Sequence, residues 1–256
     1  MTSIEMTNTV HFALDVGEQL LMCGGEVPRV EDTIERICMA YGVMRVDAIV
    51  ITSAVWVTVI WEDGTVVTQS RRIKNHKKNM HRLERLNALS RKVCAERPRL
   101  PEARAQFAKI LEKDRHWFRR ELIGAILVAF SCTLFFGGDW KDALVAPVVG
   151  VLIILAQWMS GKIGGNRFLA QIVCAFLATS VSIFAVALGL GSSVEQIMIG
   201  CIMILIPGIA FTHAVENLIT GDTLSGLLSS CEAIFVALGL AGGFAAAMLL
   251  FGGLLV

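Results

Sequence analysis

Apolar residues are distributed differently in the two halves of the chain. Beyond residue 120 they form long runs, each close to the roughly 20 residues that an α-helix needs to cross the hydrocarbon core of a bilayer. There are five such runs, at 122–138, 143–159, 168–190, 194–212 and 233–256. The pattern predicts an all-α polytopic membrane domain of five transmembrane helices in residues 121–256.

Before residue 120 the apolar positions recur with helical or alternating spacing, which predicts a compact α+β domain over residues 1–120. Residues 7–23 have helical spacing, and a second helical stretch begins near Pro28 and closes at Gly42. Residues 45–73 are rich in β-branched and aromatic side chains and contain the hairpin turn signal Glu62-Asp63-Gly64. This segment predicts strands.

Helical spacing returns at 75–96 and 100–118, where the two stretches are separated by "RPRLP". The predicted order is therefore two helices, two strands and two helices, with a third strand if residues 46–61 bend. The predicted fold class is an α+β cytoplasmic domain followed by five transmembrane helices.

Basic residues are concentrated in the first half, although the net charge of the whole chain is only +1. Of the 23 lysines and arginines, 20 precede Glu121. Lys162 and Arg167 lie between the second and third runs, whereas only Lys141 lies between the first two. Because basic loops stay on the cytoplasmic side, we expect a multi-pass protein of the cell inner membrane with its N-terminus in the cytoplasm and its C-terminus outside. The loop 213–232 then faces the cytoplasm.

Motifs of familiar enzyme classes are absent from the sequence: it has no nucleotide fingerprint, no G-x-S-x-G and no H-E-x-x-H. The seven cysteines form no CxxC pair and show no metal-ligand spacing. We therefore expect no enzymatic activity, no cofactor and no metal. The basic stretch 71–86 lacks interleaved aromatic residues, so we expect no nucleic-acid partner, and anionic lipid headgroups are its simpler counterpart.

A Pro207-Gly208 pair interrupts the fourth apolar run. Because proline has no N–H and its ring clashes with the preceding turn, we expect this helix to kink or unwind near 206–209 and to free carbonyl groups near 205–207. The residues that follow are able to hold a proton, an ion or a polar solute: His213, Glu216, Asn217 and Asp222. Discontinuous membrane helices often form the solute sites of transporters. The alternative is a kinked helix and an ordinary loop, with Asp222 as a turn cap.

Small and polar residues within the other runs permit two interpretations. Gly239, Gly243 and Ala247 are spaced four apart and predict a close helix contact. A further group is polar enough to line a cavity, although serine and threonine also bond back to their own helix: Gln157, Gln171, Thr179, Ser180 and Ser182.

Four stretches occur in a fixed order along the chain: "LMCGGEVPRVEDTIERICMAYGV", "VDAIVITSAVWVTVIWEDG", "RLERLNALSRKV" and "LIPGIAFTHAVENLITGDTLSGLLSSCEA". In this order and spacing they resemble the N-terminal module of the threonine/serine exporter family, and the similarity covers nearly the whole chain. Two groups of residues match signatures of that family. The first, in the cytoplasmic domain, is Gly25, Arg29 and Glu31; the second is Pro207, Gly208, Gly221 and Asp222.

The resemblance implies a subunit of a secondary exporter of small polar metabolites, either amino acids such as threonine and serine or dicarboxylates such as succinate. It also implies a partner with about five spans, and because this chain stops after its fifth run it resembles the split form, in which the partner is a separate small membrane protein. The odd number of spans independently favours a partner, because many transporters combine two repeats of opposite orientation. We expect an oligomer in which His213, Glu216 or Asp222 carries protons.

A second class of function stays open at this point, namely a cytoplasmic enzyme or sensor that is anchored to the membrane. A tether needs only one span. Five spans and a broken helix therefore favour transport.

Overall fold

The computed structural model describes residues 3–73, 79–112, 117–163 and 166–255. The chain divides into two compact units, each with its own packing. The first unit combines Met1–Lys113 with Thr212–Ser229, and the second combines Asp114–Phe211 with Ser230–Val256.

The first unit contains a three-stranded antiparallel sheet in the order β1-β2-β3 together with four helices from the N-terminal half. The elements in chain order are α1 (Ser3–Met22), α2 (Val27–Ala40), β1 (Arg45–Ile51), β2 (Ala54–Ile60), β3 (Val66–Arg72), α3 (Met80–Glu96) and α4 (Leu100–Leu111). The third strand exists because the chain turns at residues 52–53, so that Ile51 pairs with Ala54 and the β-rich segment splits into two strands.

Alternation along β2 determines which face of the sheet is buried. Val55, Val57 and Val59 are fully buried, whereas Trp56 between them is exposed, as expected from the period of two in a strand. Helices α1 and α2 cover the buried face, and their fully buried side chains include Phe12, Leu14, Ile34 and Ile37. Burial of each such side chain contributes about 1.5–3 kcal/mol to the free energy of unfolding, so this face forms the core of the unit.

The two helices predicted after the sheet are present, but their bounds differ from the predicted ones. Helix α3 begins at Met80, because the Asn79 Oδ1 accepts a hydrogen bond from the Arg82 N–H at 2.9 Å and caps the helix. Helix α4 ends at Leu111, short of the predicted end at residue 118. The predicted helical residues 75–78 and 113–116 lie outside the described part of the chain.

The apolar half of the chain is helical throughout its described residues, apart from short turns. Its elements are α5 (Trp117–Phe135), α6 (Trp140–Ile163), α7 (Arg167–Ala187), α8 (Val194–Leu205), α9 (Gly208–Thr220), α10 (Thr223–Phe251) and a final 3₁₀ turn (Gly252–Leu255). Helices α5, α6, α7 and α8 pack against one another. Most of α9 and the first turns of α10 belong to the first unit.

The predicted number of five spans is not confirmed. Among the described helices, α6, α7 and α10 are long and apolar enough to cross a membrane, and α8 with α9 gives a fourth span if the bent pair counts as one. Helix α5 carries Arg119, Arg120 and Glu121 in its first turns. The charges leave an apolar stretch in α5 that is shorter than a typical span.

Helix α6 has the features of a membrane-spanning helix. Trp140 and Trp158 lie near its two ends, both exposed, and 18 residues of α-helix separate them by about 27 Å, which is close to the thickness of a bilayer core. The Lys162 Nζ lies 3.6 Å from the centre of the Trp158 ring. Tryptophan and lysine are typical of the membrane interface, so their positions are those expected at the two ends of a span.

The predicted break in the fourth apolar run is confirmed, because α8 and α9 are bent by 56° at residues 206–207. The expectation of a loop over 213–232 is wrong. Helix α9 continues to Thr220 and α10 begins at Thr223, ten residues earlier than the predicted fifth span. Gly221, with a φ of +90°, makes the tight turn between them.

The small-residue stripe of α10 packs within the chain. Gly239, Gly243 and Ala247 are all buried, and a Cβ on Gly243 would lie 2.4 Å from the carbonyl oxygen of Ile172 on α7. The stripe therefore permits a close contact between α10 and α7, as small residues do in membrane helices, and does not supply a surface for a partner.

We expect Gly243→Val to lower the free energy of unfolding by about 1–3 kcal/mol, because the larger side chain forces α10 away from α7. Gly242→Val is the matched control, since a Cβ on the neighbouring Gly242 meets no atom within 4 Å. Denaturant unfolding of both variants in detergent measures the difference. Equal stability of the two variants would contradict the packing described for α10.

The turns between α5 and α6 and between α7 and α8 lie at the same end of the second unit. The Asp142 Oδ1 on α6 accepts a hydrogen bond from the Ser192 N–H at 2.6 Å in the second turn. The charge-based topology, which stays a prediction, places both turns on the outer side of the membrane.

We expect a cysteine at Ser192 to react with an impermeant thiol reagent from outside the cell, and a cysteine at Ser53 to react only in inside-out vesicles. Both serines are exposed, and each variant is made in a background without the seven native cysteines. Labelling of Ser192→Cys only from the cytoplasmic side would overturn the topology.

Candidate functional site

The break between α8 and α9 is a local rearrangement of backbone hydrogen bonds around Pro207. Proline has no N–H, so the Met203 carbonyl loses its helical donor. The Gly208 N–H donates to the Ile206 carbonyl at 2.9 Å, and the Phe211 N–H donates to the Pro207 carbonyl at 3.0 Å. The expectation of free carbonyls at residues 205–207 is therefore wrong for Ile206 and Pro207, and the carbonyl that loses its donor lies one turn earlier.

Asp222 closes the turn after α9. Its Oδ1 accepts a hydrogen bond from the Ser225 N–H at 3.2 Å and so caps the start of α10. The turn is tight, because a Cβ on Gly226 would lie 3.1 Å from the backbone nitrogen of Leu218. Helix α9 and the first turns of α10 thus form a close helical hairpin, with Asp222 at its tip.

The other polar residues predicted for the site lie on α9. His213 and Glu216 are half-buried, as is Asp222, whereas Asn217 is only 2% exposed. Ser225, which was not among the predicted site residues, is fully buried, and its Oγ has no hydrogen-bond partner within the described part of the chain. Its position three residues after a capping aspartate inside an apolar run was the available signal. The hairpin therefore buries an amide and a hydroxyl group beside a half-buried carboxylate.

In the first unit, Glu31 of the first signature interacts electrostatically with Asp222 of the second signature. Its Oε1 accepts a hydrogen bond from the Val50 N–H of β1 at 2.8 Å. Burial raises the pKa of Glu31; the bond from Val50 lowers this pKa, and the negative charges of Asp222 and Glu35 raise it. Asp222 is thus within electrostatic range of Glu31, although 190 residues separate them in the sequence.

The other two residues of the first signature have structural surroundings. Gly25 is buried, and a Cβ there would lie 2.9 Å from the Leu20 carbonyl oxygen. Arg29 is exposed and lies 3.6 Å from the carboxylate of Glu26. Both residues line a cavity of about 30 Å³ next to α2. This volume holds about two or three water molecules.

The hydroxyl groups of α7 bond to their own helix. Thr179, Ser180 and Ser182 each donate to the carbonyl four residues earlier at 2.8 Å, which is the common arrangement for these residues in helices. Of the two interpretations of these hydroxyls, the structure supports this one. The buried Gln171 Oε1 on the same helix lacks a hydrogen-bond partner among the described residues.

A buried carboxylate that sequence analysis missed lies at the start of α6. Asp142 is 1% exposed, and its two oxygens accept hydrogen bonds from three backbone N–H groups: Asp139 at 3.2 Å, Ser192 at 2.6 Å and Ser193 at 3.0 Å. The spacing Asp139-x-x-Asp142 before an apolar run, similar to a capping box, was the signal in the sequence.

Comparison with known proteins identifies relatives over almost the whole chain. The family model described as "Putative threonine/serine exporter" matches residues 11–251. The "Threonine/serine exporter" of Corynebacterium glutamicum is 22% identical over 247 residues, which cover 93% of this chain and 50% of that protein. This chain therefore spans about half the length of that exporter.

Shorter relatives match from end to end. The "Probable succinate transporter subunit YjjP" of Klebsiella aerogenes is 25% identical, with 91% of this chain and 90% of that protein covered. The protein of the same description from Escherichia coli K12 is 22% identical, with 93% and 96% covered. No solved structure matches the chain.

The family match covers both signatures, including the helix broken at Pro207 and the hairpin that ends at Asp222. On this match, the chain belongs to the threonine/serine exporter family.

Proposed function

We propose that this protein is a subunit of a secondary exporter that moves small polar metabolites out of the cytoplasm across the inner membrane. The observation that carries the proposal is the broken helix α8–α9, followed by a hairpin with a half-buried carboxylate at its tip. Irregular backbone at membrane depth is tolerated only where protein or a water-filled cavity covers it. In transporters such breaks commonly hold the solute.

The two helix ends at the break suit a substrate with carboxylate groups. The N-terminus of α9 carries the positive end of a helix dipole, which favours an anion. The C-terminal end of α8 carries the Met203 carbonyl without its helical donor, and a carbonyl is an acceptor for an ammonium group. A zwitterion would use both ends, and a dicarboxylate would use the α9 end.

Among these substrates, we propose a small dicarboxylate first and threonine or serine second. The relatives named as succinate transporter subunits match this chain over 90% or more of their own length, whereas the threonine/serine exporters match over about half. The relatives named as transporter subunits support a partner for this chain, which we propose to be a second small multi-span membrane protein within an oligomer.

We propose Asp222 as the principal proton carrier of the transport cycle. Two carboxylates within electrostatic range in a partly buried setting favour the uptake of a proton by one of them, and Glu31 supplies the second carboxylate. His213 and Glu216 on α9 are secondary candidates, and the buried Asn217 would contact the substrate. In this arrangement residues 1–120 face the cytoplasm, and Glu31 links the cytoplasmic domain to the coupling residue.

We expect Asp222→Asn to abolish proton-driven transport or to uncouple it from the gradient, because asparagine cannot carry a proton. The amide oxygen can still accept the bond from the Ser225 N–H, so the turn is kept. The matched control is Glu216→Gln, which removes the same charge from the same hairpin and should have a smaller effect. The measurement is uptake of radiolabelled succinate, threonine or serine into inside-out vesicles under an imposed pH gradient. Normal gradient-dependent uptake by Asp222→Asn would return Asp222 to the role of a cap alone.

We also expect the tagged chain to purify from native membranes in mild detergent together with a second multi-span protein, which mass spectrometry will identify. Proteoliposomes that contain both proteins should transport the substrate, and those that contain this chain alone should not. Full transport by this chain alone would remove the need for a partner.

A further inference from the structure

Asp142 is a buried carboxylate in the membrane unit, and none of the described residues forms an ion pair with it. A carboxylate in such a position is costly unless hydrogen bonds satisfy its oxygens. Here one oxygen bonds to the Asp139 N–H at the start of its own helix, α6. The other oxygen bonds to the Ser192 and Ser193 N–H groups, directly before α8.

These bonds connect two helices through a single side chain. Ser193 is the N-cap residue of α8, and its side chain makes no capping bond, so the carboxylate of Asp142 satisfies N–H groups at this helix end from another helix. Hydrogen bonds between a charged group and backbone N–H groups are shorter and stronger than neutral ones. The packing is close as well, because a Cβ on Gly191 would lie 3.1 Å from the Asp142 Oδ1.

The middle of α8 is fixed to its neighbours by close contacts. A Cβ on Gly200 would lie 2.1 Å from the Thr133 Oγ1 of α5, so only glycine permits this crossing. A Cβ on Gly150 of α6 would lie 3.2 Å from the Ile204 side chain of α8. The 12-residue α8 thus makes close contacts with α5 and α6 along most of its length of about 18 Å.

We propose that Asp142 is a positioning residue that fixes the start of α8 to α6, so that the bending which transport requires is confined to the break at Pro207. The first half of the broken helix then acts as a fixed wall, and α9 is the half that moves. This inference rests on the proposed transport function, because it assigns a role in the transport cycle to a residue outside the broken segment.

Spin labels test the fixed position directly and need no transport assay. Cysteines that carry the spin labels replace Lys141, at the start of α6, and Ser192, directly before α8. Both residues are exposed, and the background lacks the native cysteines. We expect a narrow distance distribution between the labels in the otherwise unchanged protein and a distinctly broader one with Asp142→Ala. The matched control is Asp139→Ala, which removes a carboxylate from the same turn and should keep the narrow distribution.

Asp142→Asn removes the negative charge but keeps an oxygen that accepts hydrogen bonds. This variant also provides the test if Asp142→Ala fails to insert into the membrane. Its amide oxygen can still accept from Ser192 and Ser193, so we expect it to keep the narrow distribution. A distribution as narrow in Asp142→Ala as in the unchanged protein would overturn the proposal. A distribution in Asp142→Asn that is as broad as expected for Asp142→Ala would overturn it too.

Transport kinetics in the presence of the partner supply the functional measurement. With succinate, threonine or serine as the probe, we expect Asp142→Ala to lower the maximal rate about ten-fold with little change in the half-saturation concentration, because a loosely held α8 slows the conformational step rather than binding. Asp142→Asn should restore most of the rate. An unchanged maximal rate in Asp142→Ala would refute the role in transport, whereas absence of transport by the unchanged protein would count against the proposed function alone and leave the spin-label result valid.

Discussion

A backbone that enters a membrane must satisfy its N–H and C=O groups within the protein, and in the second unit of this protein the proline at position 207 interrupts the helical hydrogen bonds and ends a helix. Pro207 cannot donate to the Met203 carbonyl, so α8 ends at Leu205 and the chain bends by 56° before α9. A half-helix of 12 residues is too short to span a bilayer by itself. It is instead packed against α5, α6 and α7, with Gly200 placed where α5 crosses most closely.

Polar side chains in both units mainly satisfy backbone groups. Asp142 accepts three backbone N–H bonds, Glu31 accepts one from β1, and Asp222 accepts one at the start of α10. The α7 hydroxyls donate to carbonyls of their own helix. Carboxylates that hold backbone N–H groups fix the position of a loop or helix end, and those that lie near a second carboxylate are also suited to binding a proton. Glu31 has both properties, because burial, and to a lesser extent the negative charge of Asp222, raise its pKa.

The sequence predicted much of the architecture because hydrophobic periodicity and turn residues act locally. It predicted the α+β domain, the apolar helices and the break at Pro207, all of which depend on residues close to one another in the chain. It overestimated the length of α4 and missed the continuation of α9 and α10 through residues 213–232. These polar residues look like a loop in isolation, whereas a glycine turn and a capping aspartate join two helices there.

In the candidate site, too, some features follow from the sequence alone and others only from the tertiary structure. The sequence by itself determined which residues are chemically suited to it, since proline breaks a helix and a carboxylate binds protons wherever they occur. Only the tertiary structure decided that Glu31 lies within range of Asp222, that Ser225 is buried, that the α10 glycines face α7 and that Asp142 joins α6 to the start of α8. Each of these facts depends on segments far apart in the chain, whose meeting is set by packing and by the need to satisfy buried polar groups.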